Sequence, residues 1–362
     1  MTGQKPFRVI DTGLRNGREN IAFDQALIEA RQANKIPDTI RFLRFRPSAL
    51  VGVHQLMRQE IKTDYCRANG VELGRRITGG GGLYLDEGQI GWELISDRDT
   101  LGVRDLADVT RRICEACALG LNKLGVPANY RPRNDIEVDG RKISGTGGFF
   151  DGHLIFYQGT LLIDFDPAKI GACLNIPVEK LAKRDIQSAT QRVITMREVL
   201  GDKLPELPAI FEGLLAGFKE GLEIAPQWGA ITPYEEDLAA QHYREEIGTD
   251  EFVNGTDAPT AGQDLVSASL TGRGGTVRAD IRLEGRQNER IREALITGDF
   301  FVTPPRVILD LEADLRGREV KDAGRAIDDF FARTSADFLS LSAGEIRQVV
   351  EMALGKQSAD AS

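Results

Sequence analysis

Sulfur and imidazole are scarce in this chain, which has four cysteines and three histidines in 362 residues. So few cysteines over that length make no disulfide framework, and a reducing cytoplasm is the expected compartment. His54, His153 and His242 are widely separated. None has the i, i+4 partner of a His-Glu-x-x-His run, which argues against a structural metal. Long apolar runs are missing too. No stretch reaches the ~18–20 residues that span a bilayer, and Met1 to Arg8 lacks the apolar core of a signal peptide. Basic residues are in deficit, with a net charge of −9. That balance argues against non-specific nucleic-acid binding. No internal repeat or low-complexity segment interrupts the chain.

What is present describes a soluble globular protein, 41% hydrophobic and 28% charged. The length favours two domains. Phe7 to Ile10 reads as a strand, and Asn16 to Arg31 has helical periodicity with acidic Glu19 in its first turn. Thr39 to Arg46 is bulky, apolar and flanked by Pro37 and Pro47, which favours a strand. Glu60 to Ala68 reads as a helix closed by Gly70, and Arg104 to Lys123 as a long amphipathic helix ended by Gly125. Asp139-Gly140 is a hairpin signal, with Leu154 to Ile163 a following strand. Thr195 with Glu198, and Thr232 with Pro233 and Glu235, open helices. This interleaving predicts an α+β fold of mixed, largely antiparallel sheets flanked by helices.

A Gly/Thr/Asp/Pro-rich stretch sets the expected boundary: residues 1–247, a linker at 248–262, and a second unit at 263–362. Within that unit Leu265 to Leu270, Thr276 to Leu283 and Arg290 to Ile296 read as strands, the last also compatible with a helix. The final helix opens at Ser342 with Glu345 and closes at Gly355.

Chemistry concentrates in two segments. The first is Arg75-Arg76-Ile77-Thr78-Gly79-Gly80-Gly81-Gly82-Leu83-Tyr84. Glycines let backbone N–H groups approach an anion, and arginines add fork-shaped donors for carboxylate or phosphate. A plain flexible turn between two strands fits the glycines equally well, and neither the Walker nor the G-x-G-x-x-G spacing is met. The second segment is Asn134-Asp135, the Asp139-Gly140 hairpin, then Lys142-Ile143-Ser144-Gly145-Thr146-Gly147. Lys142 after a tight hairpin would present a fixed cation; a solvated strand lysine is the commoner fate. Asn134 and Asp135 also suit a turn. Arg75, Arg76, Arg131, Arg133, Arg141 and Lys142 together would make a local basic pocket. Cys114 and Cys117 share one face of a helix, where packing outweighs redox chemistry.

The two segments, with Tyr157-Gln158-Gly159-Thr160-Leu161-Leu162 and Ile296-Thr297-Gly298-Asp299-Phe300-Phe301, resemble the lipoate–protein ligase family. That family belongs with biotin ligases and octanoyl transferases. The resemblance implies ATP-dependent conversion of lipoate to lipoyl-AMP, then transfer to a lysine of a lipoyl-carrier domain. By the same resemblance Lys142 contacts the acyl carboxylate and the α-phosphate. Arg75, Arg76, Thr78, Gly79 to Gly82, Leu83 and Tyr84 contact nucleotide and acyl group, joined by Asn134, Asp135, Ser144, Gly145, Thr146, Gly159 and Thr160. Asp135 would help hold a magnesium ion bound mainly through phosphates. The second unit resembles the accessory domain of the adenylating members.

Three positions depart from the pattern. Leu85 stands for a histidine, Gln89 for an asparagine and Gly147 for an alanine, which leaves open whether lipoate or octanoate is preferred. The rival reading is an octanoyl or lipoyl transferase with a cysteine nucleophile. Gly125 to Arg141 contains no cysteine, and Cys173 is the downstream candidate. A biotin ligase fits less well, since its glycine loop has another order. A non-catalytic acyl-protein binding module is a further alternative.

Overall fold

The computed structural model describes residues 4–175, 192–255, 264–272 and 275–360. The chain opens with β1 (Lys5–Arg15), a helix at Gly17–Gln32, β2 (Thr39–Phe45) and β3 (Ser48–Val51). β4 (Glu72–Arg75), β5 (Leu83–Leu85) and β6 (Gln89–Asp97) follow. After the helix Leu106–Lys123 come β7 (Asn129–Arg131), β8 (Asp135–Val138), β9 (Arg141–Asp151) and β10 (Leu154–Leu162). The helices Leu207–Gly221 and Pro233–His242 enclose β11 (Ile224–Trp228). Capping explains several starts. The Asn16 N–H donates to Glu19 at 2.8 Å, and Asp105 accepts from the Asp108 N–H at 2.7 Å. Thr232 and Glu235 form the reciprocal box that the sequence promises.

The main sheet has eight strands in the order β11-β1-β2-β6-β10-β9-β8-β7. β1 runs parallel to both β11 and β2, and the remaining pairs are antiparallel. Side-chain alternation gives the sheet two apolar faces. Val9, Leu94, Ile155 and Tyr157 meet Ile113 and Leu214 from the helices on one face. Ile10, Ile95 and Phe156 meet Phe23, Leu27 and Ala239 on the other. Burial on both faces is why β6 is buried along almost its whole length rather than alternating.

A smaller sheet, β4-β3-β5, carries the glycine loop. β4 pairs parallel and β5 antiparallel with the same strand, β3. Both ends of the loop are therefore fixed to one strand.

Beyond residue 264, β12 (Leu265–Gly272), β13 (Gly275–Glu284) and β14 (Arg290–Gly298) form an antiparallel sheet. β15 (Val302–Thr303) pairs with β16 (Asp337–Phe338). Helices Val307–Leu315, Ala323–Arg333 and Ala343–Asp360 cover this part, and Val277, Ile281, Ile296, Leu311, Ile327 and Val350 build a core separate from that of the main sheet. The Arg290 segment is the strand that the sequence reads there. Two expectations change. The last helix runs past Gly355 to Asp360; Gly355 does not adopt the left-handed conformation of a helix stop. The expected linker contains a helix, Asp250–Asn254, with Val253 buried; residues 256–262 of it lie outside the described residues.

Candidate active site

β8 and β9 position Lys142. Asp139 and Gly140 both take positive φ, 50° and 75°, giving the tight turn their sequence predicts. Past the turn the register slips. Ile136 pairs with Ser144 while Glu137 pairs with Lys142, leaving Ile143 as an extra residue. Such a bulge re-aims the side chains beside it. Here it sends Ile143 into the core and brings Lys142 onto the same side as Gly145, three residues away. The ammonium ends 2.7 Å from Asp135 Oδ1, and Arg131 donates to Asp135 Oδ2 at 2.6 Å. Burial alone would raise the Asp135 pKa, but Lys142 and Arg131 outweigh it and hold the carboxyl below its usual range.

The paired arginines divide their work. Arg75 is 4% exposed and does not reach the cavity. Its guanidinium donates to the carbonyls of Gly52, Gln55, Phe252 and Val253 at 3.1, 2.7, 3.2 and 3.2 Å. Arg76 lines the cavity but turns on the loop itself, donating to Gly79 O at 3.0 Å and Gly81 O at 2.8 Å. The expectation of free anion-binding N–H groups also needs correction at Gly80, whose N–H donates to Phe300 O at 3.0 Å. Buried turn carbonyls and amides need partners; Arg76 supplies them for the Gly79 and Gly81 carbonyls, and the C-terminal segment for the Gly80 N–H.

A cavity of about 860 Å³ opens between this loop, β8–β10 and residues 275–340. It brings together Arg76, Thr78, Gly79 to Gly82, Leu83, Tyr84, Asn134, Asp135, Lys142, Gly145, Thr146, Gly159 and Thr160. Ser144 is buried outside it, facing the opposite side of β9 from Gly145. One end is apolar, walled by Ile21, Leu43, Phe45 and Leu50, and the other is basic, with Arg131, Arg133 and Arg192. Arg141 points elsewhere, to Glu198 at 2.8 Å. Gly159 is required by Trp92: a Cβ there would lie 2.2 Å from the indole. Asn134 and Thr146 hold each other, with Asn134 Nδ2 donating to Thr146 O at 2.6 Å and Thr146 Oγ1 donating to Asn134 O at 3.0 Å.

Sequence reasoning missed several wall residues. Gln158 donates to Thr78 Oγ1 at 2.7 Å, tying β10 to the loop. Arg192 comes alongside because the Lys142 N–H donates to its carbonyl at 2.8 Å, a pairing with no local sequence signal. Glu93 lies at the apolar end, held by the buried Arg41 at 3.1 Å. Phe301 and Asp299 come from the C-terminal part.

None of the four cysteines lines the cavity, and all are buried. Burial pushes the Cys114 thiol up to about 11, and Cys173 is also raised, chiefly by burial. His153 is exposed on the β9–β10 turn, away from the cavity. Asp135 does not fit the magnesium role as it stands, because both its oxygens already face cations. Among the described residues the one metal-type grouping, Asp97, Asp99 and His153, lies outside the cavity.

Comparison with known proteins agrees with the geometry. Over 250 residues the chain is 28% identical to lipoate-protein ligase A subunit 1 of Thermoplasma acidophilum, covering 66% of this chain and 93% of that one. It is 35% identical over 159 residues to lipoate-protein ligase LplJ of Bacillus subtilis, 44% of this chain and 47% of the relative, about half its length. Octanoyltransferase LipM of Symbiobacterium thermophilum is 27% identical over 269 residues, covering 68% and 97%. Among solved structures, the bipartite T. acidophilum ligase aligns with a TM-score of 0.61 at 25% identity, covering 72% of this chain and all of that one. P. falciparum LipL1 aligns with 0.74 at 16% identity over 96% and 99%, a likeness of fold. The family described as lipoyl protein ligase A/B catalytic domain matches residues 16–219, more than half of the chain, and the protein is an enzyme of that family.

Proposed function

We propose that this enzyme is an ATP-dependent lipoate–protein ligase. Lipoate's carboxylate attacks the α-phosphorus of ATP, pyrophosphate leaves, and lipoyl-AMP forms. The amine of an acceptor lysine then attacks the acyl carbon and AMP leaves. The single observation that carries the reading is Lys142, whose ammonium stands on the cavity wall 2.7 Å from Asp135, in the same cavity as the glycine loop. A fixed cation there offsets charge that builds on the phosphoryl oxygens. Asp135 holds it without consuming all three of its donors. The apolar end suits an acyl chain and the basic end suits phosphates. The solved T. acidophilum structures include one with lipoic acid bound and one described with its E2 lipoyl domain; a lipoyl-carrier domain is accordingly the proposed acceptor. Residues from 264 onward, with their own core, are proposed as the accessory unit.

The octanoyltransferase relatives make acyl transfer without ATP the second reading. A transferase needs a sulfur nucleophile on the wall, and the four thiols are buried elsewhere. The test measures pyrophosphate release and acceptor lipoylation with free lipoate and ATP. Lys142→Ala should lower lipoyl-AMP formation by roughly two to three orders of magnitude, with Cys173→Ser near wild type. A folded but inactive Cys173→Ser, or wild-type turnover of carrier-bound octanoate without ATP, would replace the ligase reading. Wild-type binding of lipoate with no turnover of either donor would favour a binding module.

A further inference from the structure

We infer that Phe301 is a positioning residue, through which the C-terminal part sets the distance between the glycine loop and Lys142. Its ring fills the gap between two glycines. A Cβ on Gly80 would lie 2.5 Å from the ring's Cζ, and one on Gly147 would lie 2.2 Å from its Cε1. Gly80 belongs to the loop, and Gly147 lies on β9, the strand of Lys142. The ring is thus a spacer between the two halves of the cavity wall.

The segment carrying it is anchored on both sides. Before the ring, Gly298 donates to His54 O at 2.9 Å, and Phe300 accepts from Gly80 at 3.0 Å. The Phe300 ring stacks on His54 with centroids 4.9 Å apart. After it, Thr303 Oγ1 accepts from the Phe150 N–H at 2.8 Å and donates to Phe150 O at 2.7 Å. Phe301 cannot slide along the cavity while these contacts hold. Gly147 now has a reason: an alanine methyl would take the space of the ring edge. Activation of a carboxylate needs the loop and the lysine in fixed register, and misplacement of about 1 Å costs up to a hundredfold in rate. The inference rests on the reading of the loop and Lys142 as the activating groups.

A mutant cycle in the full chain tests it, with Gly147→Ala, Phe301→Leu and the double variant. Gly147→Ala should lower the kcat of lipoyl-AMP formation by roughly a hundredfold, with KM for lipoate moving far less. Phe301→Leu should lose about tenfold, and the double variant should return to that level, because the methyl then fills the space the smaller side chain leaves. Losses that multiply, a fully active Gly147→Ala, or a loss confined to KM would overturn the inference. Wild type that forms no lipoyl-AMP would instead sink the ligase reading. The cycle is then read in denaturation free energies, where non-additive losses support the spacer and additive losses overturn it.

Discussion

The ammonium of Lys142 lies directly over Gly145: a Cβ built on that glycine would sit 2.4 Å from Nζ and 2.5 Å from Cε. The lysine thus crosses its own strand to reach Asp135, and only a residue without a side chain lets it pass. Gly145→Ala should push the flexible end of the lysine off Asp135. Because that end can swing into solvent, the fold should lose little stability. Lipoyl-AMP formation should fall tenfold to a hundredfold, the range for a misplaced catalytic group. Pyrophosphate release together with a melting curve measures both. A full-rate Gly145→Ala would mean that the lysine acts from another position.

This relationship marks the limit of what the chain discloses by itself. Lys142, the glycine loop and the Asp139-Gly140 turn are contiguous signals, and the cavity contains nearly all of them. The bulge at Ile143 is not legible, because strict alternation puts Lys142 and Gly145 on opposite faces. Arg75 misleads for a related reason. Adjacent arginines look equivalent in sequence, but alternation at the end of β4 turns one toward buried carbonyls and the other toward the loop. Phe301 and Arg192 reach the site only through long-range packing, which no local pattern encodes. The α+β fold of largely antiparallel sheets flanked by helices was readable because caps such as Thr232 with Glu235 and the apolar strand runs point the same way.

The buried cluster behind the apolar end makes a second prediction. Arg41 is fully buried and contacts Asp24 at 2.6 Å and Glu93 at 3.1 Å. Burial first, then the Glu93 charge, holds the Asp24 pKa well above its usual range, which favours a neutral carboxyl there. Asp24→Asn keeps a donor toward Glu93 and an acceptor for Arg41, and should cost about 1 kcal/mol or less. Glu93→Gln leaves a buried guanidinium without its countercharge and should cost about 3–5 kcal/mol. Urea denaturation of both variants decides. Equal losses would mean that Asp24 carries as much of the countercharge to Arg41 as Glu93 does.

His54 gives a pH dependence. Burial against Phe300, then the Arg75 charge, lowers its pKa from 6.5 to about 4. The folded state therefore binds its proton less readily than the unfolded chain. Its contribution is complete above pH 6.5 and is lost as pH falls toward 4, on the order of 3 kcal/mol in total. Denaturation at pH 7 and pH 4.5 should show this loss in wild type and a smaller one in His54→Asn. The same slope in both proteins would assign the acid sensitivity to other groups.

The last prediction concerns where the catalytic part ends. The helix Asp250–Asn254 lies within the stretch that the sequence marks as linker, yet it is fastened to the glycine-loop sheet. Phe252 and Val253 supply carbonyls to Arg75 at 3.2 Å each. Arg18 donates to Gly248 O and to Asp250, both at 2.8 Å. A fragment ending at residue 255 retains all of these partners, whereas one ending at 248 strips Arg75 of two. A hydrogen bond to a charged group contributes about 1.5–3 kcal/mol, so the shorter fragment should be less stable by at least that much. Both lack Phe301 and the Phe300 carbonyl that holds Gly80, and should lose most lipoyl-AMP formation even when folded. Denaturation midpoints and adenylation rates of the two fragments against the full chain provide the measurement. Equal stability would remove the helix from the catalytic part, and full activity in the longer fragment would end the accessory role of the C-terminal part.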